Sequence, residues 1–151
     1  MNKINIKKCF DEAILPTRAH EDDAGYDLYA SPYEGFEAGS VPIIGNGNQT
    51  FHTGIAMEIP KGYVGLVFAR SGIGVKRGLK PRNCVGVIDS NYRGEIMVCL
   101  HNDTSATAYV EVGERIAQIV IVPYYKYELN LVDELSDTDR GENGWGSSGT
   151  K

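Results

Sequence analysis

The chain is short of cysteine, of excess positive charge, of long apolar runs and of helical periodicity. Each shortage removes a class of answer. Three cysteines, Cys9, Cys84 and Cys99, are odd in number and widely spaced. That argues against a disulfide framework and against a zinc site. Reduced, buried thiols in a cytoplasmic protein are expected, although pairing of Cys84 with Cys99 stays open. Lys and Arg total 15 against 20 Asp and Glu, a net charge of −5 with no basic patch. Nucleic acid is therefore not an expected partner, while a small anion held by a few convergent Arg residues is compatible. No apolar run reaches the ~20 residues of a membrane span. The first residues, Met1 to Ile6, alternate like a strand and lack a signal-peptide apolar region. His20, His52 and His101 have no metal-ligand spacing and read as surface or packing residues.

What is present fits one domain with a real core. A chain of 151 residues buries roughly 70% of its unfolded surface. Short apolar runs rich in Val, Ile and Tyr recur between turn signals. Tyr63 to Phe68, Val85 to Ile88, Ile96 to Leu100 and Ile116 to Val122 are the clearest. Ile4 to Ile6, Ile55 to Ile59 and Tyr109 to Val112 are weaker. Gly45-Asn46-Gly47-Asn48 marks a turn. A short helical turn fits around Ile73 to Lys76. These features predict an all-β domain of the sandwich or jelly-roll type over residues 1–136. Residues 137–151 are polar and glycine-rich, which predicts a flexible tail. Trp145, the only tryptophan, sits in that tail and suggests that it docks on something.

The richest segment is Gly86-Val87-Ile88-Asp89-Ser90-Asn91-Tyr92-Arg93-Gly94-Glu95. An apolar run ends in a carboxylate, turn residues follow, and a second apolar run begins. The pattern predicts a β-hairpin with Asp89 and Tyr92 at its mouth. Gly86 and Gly94 would let a ligand approach the backbone closely. An acid, an aromatic and bare backbone can hold a planar polar ligand and activate a water. A solvated turn would use the same residue types.

Four further constellations carry chemistry. Ala69-Arg70-Ser71-Gly72-Ile73-Gly74 follows a strand, and its guanidinium, hydroxyl and free N–H groups suit a phosphate. It lacks the Walker spacing, and a tight turn explains it equally. Asp27 lies inside the otherwise apolar strand Ala24 to Ala30 and needs a cationic or metal-associated partner, unless it serves only a structural salt bridge. Gln118 occupies an interior strand position, as a ligand contact or a satisfied core amide. Arg140, Trp145, Gly146, Ser147 and Ser148 combine a cation, an aromatic plate and hydroxyls, which suit a base and its phosphates.

Taken in order, Ala24 to Ala30, Arg70 to Gly74, Gly86 to Glu95, Gly113 to Ile119 and Arg140 to Gly149 resemble the five signature motifs of the trimeric deoxyuridine triphosphatases. The resemblance implies a jelly-roll subunit of the β-clip type, a homotrimer, and active sites between subunits. It implies that water attacks the α-phosphorus of dUTP, giving dUMP and pyrophosphate, with Mg²⁺ on the phosphates. Asp89 is then the general base and Gln118 lies near the attacking water. Tyr92 packs on the deoxyribose and excludes a 2′-hydroxyl. Asn83 and the backbones of Val87, Ile88 and Met97 line the uracil slot. Arg70, Ser71 and Gly72 contact phosphate. Arg140, Ser147 and Ser148 close on the terminal phosphates, with Trp145 stacked on the base and Gly146 beside it. No direct protein ligand to the metal is implied; Asp27 stands near Mg²⁺-bound water or the tail arginine. The chain departs from the usual pattern at Ala69, Asn91, Asn143 and Trp145, none of which removes a catalytic group.

Two other readings share the scaffold. A dCTP deaminase would need a catalytic Glu near Cys99, and no carboxylate lies from Ile96 to Leu100. A non-catalytic nucleotide-sensing or protein-binding module would be marked by loss of Asp89, Gln118 or the tail. All three are present.

Overall fold

A computed structural model of the chain describes residues 3–144. Among them are eleven strands and one short helix. In chain order the strands are β1 (Asn5–Lys8), β2 (Gly25–Tyr29), β3 (Ser40–Ile43), β4 (Asn48–His52), β5 (Ile55–Glu58) and β6 (Tyr63–Phe68). Helix α1 (Ser71–Arg77) follows, then β7 (Leu79–Pro81), β8 (Gly86–Ile88), β9 (Met97–Asn102), β10 (Ala108–Glu111) and β11 (Arg115–Pro123). The all-β expectation holds, and the single helix covers the turn expected at Ile73 to Lys76. It ends at Gly78, whose φ of 66° is the left-handed conformation glycine adopts without steric cost.

One sheet runs β2-β11-β6-β8 and a second runs β4-β9-β7, with two-stranded pairs β1-β5 and β3-β10 beside them. All of these pairings are antiparallel. Alternation along the strands fills the core: Leu28, Ile43, Ile55, Leu100, Val110, Ile116 and Ile119 are fully or almost fully buried. Asn102 is also fully buried, and it substitutes for missing backbone pairing. Its Nδ2 donates to the carbonyls of Ile43 and Ala106 at 2.9 and 2.8 Å, and its Oδ1 accepts from Thr104 N at 3.0 Å.

The expected hairpin is not one. β8 pairs with β6, and β9 pairs with β4 and β7, so the two runs diverge into different sheets. The local pattern of apolar run, turn, apolar run is the same in both cases; only long-range pairing separates them. β8 is thus the free edge of its sheet, and β7 reaches only to Leu100 along β9. The backbones of Val87 and Met97 border the gap between them. The cysteines also differ from expectation: Cys9 and Cys84 are exposed and Cys99 is half-buried, all with free thiols. Cys84 sits at φ 63° in the Asn83–Val85 turn, which leaves its side chain outside the core.

Candidate active site

The parting of β8 from β9 opens a cleft of about 540 Å³. Asn83, Gly86, Val87, Ile88, Met97 and Cys99 are among its lining residues. A narrower hollow of about 230 Å³ shares Val87, Ile88 and Met97 and adds Asp89, Tyr92 and Glu95. Asp89 and Tyr92 are both exposed, and the Asp89 carbonyl accepts the Tyr92 N–H at 3.1 Å. That bond closes a four-residue turn and keeps acid and aromatic together. The Tyr92 hydroxyl donates to the Glu95 carbonyl at 2.9 Å, folding the ring back along the loop. Gly94 serves this ring: a Cβ there would collide with the Tyr92 hydroxyl and ring carbons. The expected ligand approach at Gly94 is replaced by an approach of the chain's own aromatic.

A second, polar hollow of about 310 Å³ lies elsewhere, lined by Asp23, Gly25, Asp27, Arg70, Ser71 and Gln118 among others. Asp27 Oδ1 accepts Arg70 Nε at 2.6 Å, and Oδ2 accepts Arg115 Nη1 at 3.1 Å. The cationic partner that the sequence demanded for Asp27 is therefore doubled. Arg115 was not singled out in the sequence, because plain alternation would pair it with Ala117 on the buried face. A β-bulge between Arg115 and Ala117 changes the parity. Ile116 and Ala117 are both buried, and Arg115 comes to the same side as Gln118. Gln118 is half-buried, and its Nε2 donates to the Ala69 carbonyl at 3.0 Å. Gly25 leaves room for it, since a Cβ there would lie 2.6 Å from Gln118 Oε1. The His20 backbone N–H donates to Asp23 and holds its carboxyl below the usual carboxylate range.

Asp89 and Gln118 thus line different cavities of the single chain. Gly72 is exposed and, with Ser71, begins α1. Arg140 is exposed, and its Nε donates to the Asn143 carbonyl at 2.9 Å. Trp145, Gly146, Ser147 and Ser148 lie outside the described residues. Among the described residues no three His, Cys, Asp or Glu side chains gather as a metal cluster. Both Asp27 oxygens are taken by Arg70 and Arg115, so a Mg²⁺ here would be carried by phosphates and its own water shell rather than held by Asp27 directly.

Comparison with known proteins places the chain in a family. The dUTPase family model matches residues 11–149. A deoxyuridine 5′-triphosphate nucleotidohydrolase of Corynebacterium glutamicum is 44% identical over 147 residues, covering 97% of this chain and 94% of its own. That of Clostridium acetobutylicum is 42% identical, covering 100% of this chain and 99% of its own. Among solved structures, the dUTPase of Staphylococcus bacteriophage 80alpha bound to dUpNHpp superposes with a TM-score of 0.86 at 32% identity, covering 99% of each chain. A variant dUTPase of phage phi11 of S. aureus, described with a structural Mg(II) ion, gives 0.76 at 27% identity, covering 88% of this chain and 98% of its own. With the family model spanning the site elements from β2 to the tail, this chain belongs to the dUTPase family.

Proposed function

We propose that this chain hydrolyses dUTP to dUMP and pyrophosphate, and that the cleft between β8 and β9 reads the uracil. The observation that carries the reading is the parting of these strands. It leaves a bare sheet edge beside a carboxylate and an aromatic. Backbone N–H and C=O groups on such an edge offer a fixed donor and acceptor pattern to a planar base. Cytosine presents the opposite pattern, and a thymine methyl needs space that a narrow slot lacks. Asn83 adds a side-chain amide to the same wall.

Asp89 accepts a proton from the water that attacks the α-phosphorus. A new P–O bond forms, the bond to the bridging oxygen of the β-phosphate breaks, and pyrophosphate leaves. Arg70, Ser71 and Gly72 hold the phosphates, and Gln118 orients the water. When bound, Mg²⁺ on the phosphates supplies neutralisation of the leaving group. Asp27 would stand in its outer shell, and it fixes Arg70. Arg140, Trp145, Gly146, Ser147 and Ser148 close over the nucleotide as a lid formed by residues 137–151.

Asp89 and Gln118 line separate hollows, which favours a site completed between subunits of a homotrimer. The segment after β11 supports association. Tyr125, Tyr127, Leu129 and Leu131 alternate at strand spacing and are 84%, 77%, 95% and 98% exposed. An apolar face of that kind fits a neighbouring copy. The test is pyrophosphate release from dUTP, dCTP, UTP and dTTP, with the mass in solution. Turnover of dUTP alone by a three-chain particle is expected. Deamination of dCTP, or no turnover of dUTP, overturns the proposal.

A further inference from the structure

Glu95 does two jobs at the end of the Asp89–Glu95 loop. Its backbone carbonyl holds the Tyr92 hydroxyl at 2.9 Å. Its carboxylate holds the turn between β4 and β5: Oε1 accepts the Gly54 N–H at 2.7 Å, and Oε2 lies 2.8 Å from His52 Nδ1. The Glu95 side chain is only 18% exposed and that of His52 30%, so water screens the pair weakly. The imidazole is itself fixed, because the Tyr33 ring lies 4.0 Å from it and Phe36 stacks behind Tyr33. One residue on, Ile96 N donates to the Ile55 carbonyl at 2.8 Å, and Thr53 Oγ1 donates to the Ile96 carbonyl at 2.6 Å. The loop bearing Asp89 and Tyr92 is therefore tied at its downstream end to a rigid turn.

We infer that Glu95 is a positioning residue for Tyr92, clamped by His52, and that it sets how strictly the site excludes a 2′-hydroxyl. The inference rests on the reading of Tyr92 as the wall against the sugar. An exposed aromatic on a loop has no packing to hold it. Here its hydroxyl is anchored to one carbonyl, and that carbonyl is placed by the carboxylate of its own residue. Both Glu95 carboxylate oxygens are engaged by His52 and the Gly54 N–H, so its effect reaches the substrate through the Tyr92 ring. A displaced wall admits UTP more readily than it weakens dUTP.

The test compares kcat/KM for dUTP and UTP in the full-length protein, with a thermal melt for each variant. Tyr92→Ala is expected to collapse the dUTP-to-UTP ratio. Glu95→Ala should lower it by roughly tenfold, the scale of a misfitted pocket contact. Glu95→Gln should restore the ratio, since its amide oxygen accepts the Gly54 N–H and its NH₂ donates to His52 Nδ1. His52→Ala should lower the ratio less than Glu95→Ala. Tyr92→Phe, which deletes only the hydroxyl anchor, should also lower it, and it decides the matter if Glu95→Ala does not fold. A folded Glu95→Ala with the wild-type ratio overturns the inference, as does equal loss on both substrates. An unchanged ratio in Tyr92→Ala overturns the sugar-wall reading itself. A shift in Tyr92→Ala without one in Glu95→Ala overturns the positioning role alone.

Discussion

Asp27 stands directly opposite Gln118 in the β2–β11 ladder, and the two side chains serve different partners. Asp27 binds Arg70 and Arg115, while Gln118 donates to the Ala69 carbonyl at the end of β6. The pair therefore braces the entry into α1 from two sides.

Replacing Asp27 by Asn leaves two guanidiniums with a neutral partner. Asp27 is 13% exposed, Arg70 25% and Arg115 44%, so the loss is smaller than for a fully buried pair. A stability loss of about 1–3 kcal/mol is expected. Because Arg70 is proposed to hold the phosphates, kcat/KM for dUTP should fall by a larger factor than the melt alone explains. Urea unfolding and steady-state kinetics on the same preparation check both.

Asp89→Asn keeps the shape of the turn, since Asp89 holds Tyr92 by its backbone carbonyl. The variant should fold and bind a non-hydrolysable dUTP analogue with near wild-type affinity. Its turnover should drop roughly 10²–10⁴-fold, the range for a lost general base. Calorimetry and a pyrophosphate assay measure the two halves. Near-normal turnover would reassign the base.

A chain ending at Thr138 removes Arg140 and every lid residue proposed beyond it. It should keep its fold and lose most activity. In the full chain Trp145 is the only tryptophan, so its fluorescence reports docking. A change is expected with the non-hydrolysable analogue and a smaller one with dUMP. Stacking on the base contributes about 1–3 kcal/mol, and ordering the segment offsets part of it. Full activity in the truncated chain sinks the lid.

Asn102→Ala should destabilise without altering nucleotide selectivity. It removes the donor to the Ile43 carbonyl inside the core, and with it the partly buried bonds to the Ala106 carbonyl and the Thr104 N–H. Each buried group left unpaired costs roughly 1–3 kcal/mol. A lower urea midpoint with an unchanged dUTP-to-UTP ratio is the expected result.

Much of this protein was legible from residue order. The runs Tyr63 to Phe68 and Ile116 to Val122 became β6 and β11, because β-branched and aromatic stretches of that length suit a doubly contacted strand. The Gly-Asn-Gly-Asn turn falls between β3 and β4, with Asn46 at φ 58°. Asp27 announced its need for a cation, because an uncompensated carboxylate in an apolar strand is costly. β4, Asn-Gln-Thr-Phe-His, was hidden by its polar residues; it is a strand because β9 pairs with it.

What residue order left open were the relations between distant segments. Nothing local separates a hairpin from two strands that part, so the cleft exists only once β6 takes β8 and β4 takes β9. Nothing local marks the bulge that turns Arg115 toward Asp27, because parity is counted against the partner strand. Nothing in the spacing of His52 and Glu95 pairs them across 43 positions. Side-chain chemistry is written in the residues themselves. Which groups meet is decided by long-range strand pairing, whose free energy comes from burying the whole core at once.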